Sequence, residues 1–117
     1  MNQKNFWDYT IYIDDNGQIY GIGKDGDIDY KGRNADIVIQ NIIKNRAITG
    51  GRTFFMPGRY PLANNGIVLP GGNNEFGGKN PSFIIQGSGS STILYNQSTD
   101  PAITIKAQNS AIRDIRI

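Results

Sequence analysis

The sequence predicts an all-β fold: a right-handed parallel β-helix of about three coils, with an N-terminal β-hairpin and one amphipathic capping α-helix. Three observations predict it. Short apolar runs separated by turn residues fill the chain after Gly51. Their pattern recurs near every twenty residues: Phe83-Ile84-Ile85 returns as Ile103-Thr104-Ile105, and Ile93-Leu94-Tyr95 returns as Arg113-Asp114-Ile115. One helical period of isoleucines precedes them, after Asn34. Strands of three to five residues at such a spacing suit stacked coils, in which no coil buries its inward side chains alone.

Composition agrees with strands and turns. Of 117 residues, 38% are apolar and 19% charged, with fifteen glycines and five prolines, a length suited to one domain. The net charge is +2, and the twelve lysines and arginines are scattered from Lys4 to Arg116, so no stripe calls for nucleic acid. Without cysteine or histidine, thiolate chemistry, Ser-His nucleophile systems and most zinc sites are excluded. No apolar run has the length of a membrane span, and MNQKNFWDY has none fit for a signal peptide, which leaves a cytoplasmic protein or a component of a virion or surface assembly.

Residues 1–33 read as a hairpin and a connector. In YTIYIDDNGQIYGI two alternating runs flank Asp15-Asn16-Gly17, a turn whose residues tolerate left-handed backbone. GKDGDIDYKGRN, residues 23–34, is polar and glycine-rich, hence a connector. Residues 34–117 read as the capping helix and the first coils, in one structural domain with the hairpin. Asn34 is an N-cap residue and Asp36 puts an anion in the first turn, while Ala35, Val38, Ile39, Ile42 and Ile43 share one face. Gln40, Asn41, Lys44 and Asn45 form the opposite face and look to water. Strands follow at 53–56, 66–69, 82–86, 92–96, 102–106 and 111–117, with a turn at Pro57-Gly58 and a projecting loop between Leu69 and Ser82. Phe83, Ile103 and Ile105 should point inward, and the helix should shield the open edges at its end of the stack.

The ordered run of a helix, Gly50-Gly51, then Phe55-Met56-Pro57-Gly58-Arg59-Tyr60, then Gly87-Ser88-Gly89-Ser90-Ser91-Thr92-Ile93 resembles the N-terminal segment of the pectate-lyase-like right-handed parallel β-helix superfamily. The resemblance covers residues 34 to 117. Pro57-Gly58 lacks the residue that usually separates proline from glycine, and residues 70–81 lengthen the first coil. The resemblance implies binding or processing of acidic and neutral polysaccharides, as in polysaccharide lyases and glycoside hydrolases, or the coil of a tailspike. It transfers no catalytic residue, because family active sites lie several coils beyond the cap.

Candidate chemistry is sparse. Asp25, Asp27 and Asp29 alternate, with Asp36 at the twelfth position, in the manner of a calcium loop, but Tyr30 replaces the glycine of position six and no helix precedes; a solvated acidic turn is the other reading, and no cofactor is expected. Gly21-Ile22-Gly23-Lys24-Asp25-Gly26 spells G-x-G-x-x-G without opening a helix, so it reads as connector. Arg113, Asp114 and Arg116 form either a lyase-like charged strip or an exterior ion-pair ladder. Phe76, in the projecting loop, and Trp7 are aromatics outside the expected core, available to stack on sugar or to pack. Phe76, Arg113, Asp114 and Arg116 are thus the candidate ligand-binding residues. The strand at the end of the chain stops without a polar cap, so either the rest of a longer β-helix or a homo-oligomer contact should cover its edge. The functional expectation is a capping module that binds polysaccharide without a complete active site, or alternatively a structural solenoid that self-assembles through that edge.

Overall fold

The computed structural model describes residues 6–72, 74, 77, 81–107 and 110–117. Among the described residues ten strands and one α-helix run in the order β1 (Tyr9–Ile13), β2 (Ile19–Gly23), β3 (Ile28–Gly32), α1 (Ala35–Asn45), β4 (Gly50–Phe55), β5 (Gly58–Leu62), β6 (Ile67–Leu69), β7 (Ser82–Gln86), β8 (Thr92–Asn96), β9 (Ile103–Ile105) and β10 (Ala111–Arg113), with a 3-10 turn at Gly89–Ser91 before β8.

The architecture is a mixed-sheet domain and not the expected three-coil parallel β-helix. Its main sheet has six strands in the order β10-β7-β4-β1-β2-β3. The half from β10 to β1 is parallel, whereas β1-β2 and β2-β3 are antiparallel. Two further parallel pairs, β5-β8 and β6-β9, complete the strand set. A solenoid repeats one pairing direction throughout, and the antiparallel meander built into this sheet breaks that rule. The twenty-residue period also fails as a pairing rule. Gly50 pairs with Ser82, Gly58 with Thr92 and Ile67 with Ile103, separations of 32, 34 and 36 residues. Phe83-Ile85 and Ile103-Ile105 share an apolar rhythm but belong to different sheets, because alternation identifies a strand and not its partner.

The meander explains what the sequence reading missed at 23–34. The first turn falls at Asp15-Asn16-Gly17 as expected, and Asp14 braces it: its carboxylate accepts the N–H groups of Asn16 and Gln18, both at 2.9 Å, and the Tyr20 hydroxyl at 3.0 Å. The glycine-rich stretch taken as connector is a second hairpin turn, with Gly23 and Asp27 bonded across it, and β3 follows. The helix does not shield the free edge of β4. Strand β1 does, in register Tyr9 to Thr53 and Ile11 to Phe55.

Inside, α1 lays Val38, Ile39, Ile42 and Ile43 against Ile11, Ile19, Phe55, Tyr60, Leu62, Ile67, Leu69, Phe83, Ile85 and Leu94, one continuous apolar core. Burying each of these aliphatic side chains contributes roughly 1.5–3 kcal/mol. Phe83 is buried and Ile103 half-buried, but Ile105 is 52% exposed, contrary to the expectation that all three point inward. The Phe54-Phe55-Met56-Pro57-Gly58 corner holds because Tyr60, fully buried, donates its hydroxyl to the Met56 carbonyl at 2.7 Å. Ser88 Oγ donates to the Phe55 carbonyl at 3.1 Å from the next layer. Among the described residues no helix is long and apolar enough to cross a membrane.

Candidate functional site

The polar flank of α1 and the strand beside it build a concave feature of ligand size. Helical spacing places Gln40 and Lys44 one turn apart with Asn41 next to them. Gln40 does not look to water as expected. Its Nε2 donates to the Val68 carbonyl at 2.9 Å and its Oε1 accepts the Val68 N–H at 2.8 Å, so one amide side chain pairs with the edge of β6 as a neighbouring strand would. That edge is satisfied without a strand, and space remains on both sides of the amide.

On one side a groove of about 790 Å³ is lined by Gln40, Asn41, Lys44, Val68, Pro70, Gly71, Asn74 and Lys106. On the other, a hollow of about 350 Å³ is lined by Asp36, Ile37, Gln40, Asn41, Asn64, Asn65, Gly66 and Val68. Gln40, Asn41 and Val68 belong to both, so the two form one trough along the helix. Asp36, read from sequence as a first-turn anion and as the last position of a calcium loop, is buried beneath the hollow. Its Oδ2 accepts the N–H groups of Asn64 at 2.7 Å and Gly66 at 3.0 Å. Asn34 occupies the N-cap without a side-chain bond to the helix. Among the described lining residues of the larger groove there are two lysines and three side-chain amides, and no carboxylate.

The sequence candidates are dispersed. Phe76 lies outside the described residues. Arg113 ends β10 in the main sheet. Asp114 follows with φ 54°, a left-handed conformation that aspartate tolerates, and its carboxylate accepts Gln86 Nε2, so the strand expected through 117 breaks there. Arg116 resumes pairing alongside β8, bridging Ile93. Ile93 is also paired with Arg59, so Arg116 and Arg59 share a cross-strand row, and the Arg59 guanidinium lies 4.2 Å from the Tyr95 ring centre. The three residues therefore divide between two sheets and a corner. Trp7 packs on Phe54, with ring centres 5.3 Å apart. Asp25 bonds the Asp27 N–H within the β2-β3 turn, and among the described residues no group of three acidic side chains is placed to hold a metal ion.

Sequence reasoning missed Asn41, Asn64, Asn65 and Lys106 as site residues. The available signal was the amide-rich face of the helix; what it faced was invisible, because β6 and β9 reach it only through long connections. Comparison with family models, curated proteins and solved structures returns no match to this chain.

Proposed function

We propose that this domain binds a polysaccharide, an acidic one, along the trough beside α1. The observation that carries this reading is the lining: amides of Asn41, Asn64 and Asn65 with the ammonium group of Lys106. A side-chain amide offers both donors and acceptors, which suits vicinal sugar hydroxyls, and lysine offers a point charge for a carboxylate. The volumes fall in the usual range of ligand sites. Among the described lining residues no pair of carboxyl groups spans the trough, so the proposal is one of binding and not of hydrolysis.

Calorimetric titration with an oligogalacturonate should give saturable binding that weakens as salt is raised, with a neutral cello-oligosaccharide binding less tightly. Asn41→Ala and Lys106→Ala, both at exposed positions, should each weaken binding several-fold without moving the melting temperature. Saturation that neither substitution alters would place the sugar elsewhere; no saturation with any charged or neutral glycan would end the proposal.

Self-association is a second reading, favoured by Ile105, which ends β9, and Ile117, 52% and 66% exposed. A solution mass that grows with concentration, and reverts on Ile105→Lys, would support it; a constant monomer mass would dismiss it.

A further inference from the structure

Two Asn-Gly pairs sit in tight turns: Asn16-Gly17 between β1 and β2, and Asn65-Gly66 immediately before β6. Both glycines have positive φ, 82° and 75°. Such pairs deamidate spontaneously because glycine, without a Cβ, lets its main-chain nitrogen approach the preceding side chain. That nitrogen loses its proton and attacks the asparagine Cγ, the C–N bond to the amide breaks and ammonia leaves. The resulting succinimide takes up water and opens to aspartate or isoaspartate. No oxidant or second substrate is required.

The fold surrounds the two pairs with charges of opposite sign. At the first, Arg33 Nη1 donates to the Asn16 main-chain oxygen at 2.7 Å. That oxygen shares the negative charge that develops when Gly17 N–H ionises, so the guanidinium stabilises the reactive form. The Asp14 carboxylate is occupied by the N–H groups of Asn16 and Gln18, while Gly17 N–H donates to the neutral Asp14 carbonyl at 3.1 Å. At the second, Gly66 N–H donates to the Asp36 carboxylate at 3.0 Å, and Asp36 is 1% exposed. Removing that proton would set two negative charges at hydrogen-bond distance in a buried place, where like charges repel most. Asn65 is exposed to water, yet its attacking nitrogen is held protonated.

We infer that Asn16 is a site of spontaneous deamidation in the folded protein and Asn65 a protected one, with Arg33 promoting the first and Asp36 suppressing the second. The consequence is local. Aspartate at 16 adds a charge that attracts Arg33 to the turn, and isoaspartate adds a backbone methylene that disturbs the Ile13 to Ile19 register beside it.

The test is incubation of the intact chain at neutral pH and body temperature, followed by peptide mapping for the amide-to-acid mass gain and the split isoaspartate peak. Conversion at Asn16 should run at least about tenfold ahead of Asn65, the scale of one well-placed charge. Arg33→Met should slow Asn16 several-fold, and Asp36→Asn should raise the rate at Asn65. The same mapping in concentrated denaturant keeps the idea testable if Asp36→Asn fails to fold, since there the two rates should converge. Equal rates in the folded chain, Asn65 reacting first, or an Asn16 rate indifferent to Arg33→Met would each overturn it.

Discussion

Single residues hold the turns of this domain, and the loss of one has a defined cost. Asp36→Ala would leave the N–H groups of Asn64 and Gly66 without their acceptor; Gly66 is buried and Asn64 can turn to water, so a destabilisation of about 1–3 kcal/mol, that of one unsatisfied buried group, is expected in denaturant unfolding. Gly66→Ala should be at least as damaging. A Cβ there would lie 2.1 Å from the Pro101 carbonyl, and the backbone sits at φ 75°. Ionisation adds a signature at each end of the pH scale. Burial, with Tyr30 and Asp29 nearby, pushes Tyr9 up to about 12, and burial raises Tyr60 as well. A group with a raised folded pKa contributes stability that is full below its unfolded value, near 10, and lost as pH climbs toward the folded one. Thermal melts should therefore fall between about pH 10 and 12, and Tyr9→Phe should flatten that fall. Asp8 runs the other way. Burial works against its charge, but the Arg52 N–H, Lys24 and Arg46 outweigh that and lower its pKa. Its contribution is present at neutral pH and lost as pH drops through the carboxylate range, so Asp8→Asn should reduce the acid sensitivity of the melt.

At the level of elements, α1 does two jobs on two faces. The isoleucine face closes the core: Ile42 is buried and its Cδ1 lies 2.9 Å from where a side chain on Gly21 would begin, so Ile42→Asp places a charge in a dry, filled space. Several kcal/mol should be lost, enough to unfold or aggregate the protein, and an unaltered melting curve would contradict this role for the helix. The amide face supplies the edge of β6 with a surrogate partner. Gln40→Leu should keep the helix but leave the Val68 N–H and C=O unpaired, lowering stability by about 1–3 kcal/mol and exposing Val68 to fast hydrogen exchange. The apolar face was legible from three- and four-residue spacing. The task of Gln40 was not, because nothing in a sequence says which polar residue on a helix meets an unpaired strand. Strands β7 and β8 were legible to their exact ends, from alternating runs bounded by glycine, serine and asparagine. Strand β3 was obscured by Asp27, Asp29, Lys31 and the flanking glycines, since an edge strand facing water carries little apolar pattern.

For the whole molecule, the N-terminal segment is structural and not an appendage. β1 is central in the six-stranded sheet, paired on one side with β2 and on the other with β4. Removing residues 1–33 would bare the edge of β4 and uncover Ile42 and Phe55 together, so the truncated chain should lose its cooperative transition and aggregate, as judged by calorimetry and light scattering. A truncated chain with the melting behaviour of the intact one would refute this. The same strand accounts for the error in the predicted architecture. Short apolar runs, turn chemistry and one amphipathic period correctly implied a strand-rich protein with an α-helix over the core, because those properties depend on residues close together in the chain. The partner and direction of the parallel strands depend on residues 27 to 44 positions apart, and many pairings satisfy the same alternation. Only the folded chain decided that an antiparallel meander and a set of parallel pairs would share one sheet, that Arg113 and Arg116 would part at Asp114, and that amides from the helix and from the 64–65 turn would face one trough. Local pattern specifies what a segment can become; the joint burial of all segments selects what it pairs with.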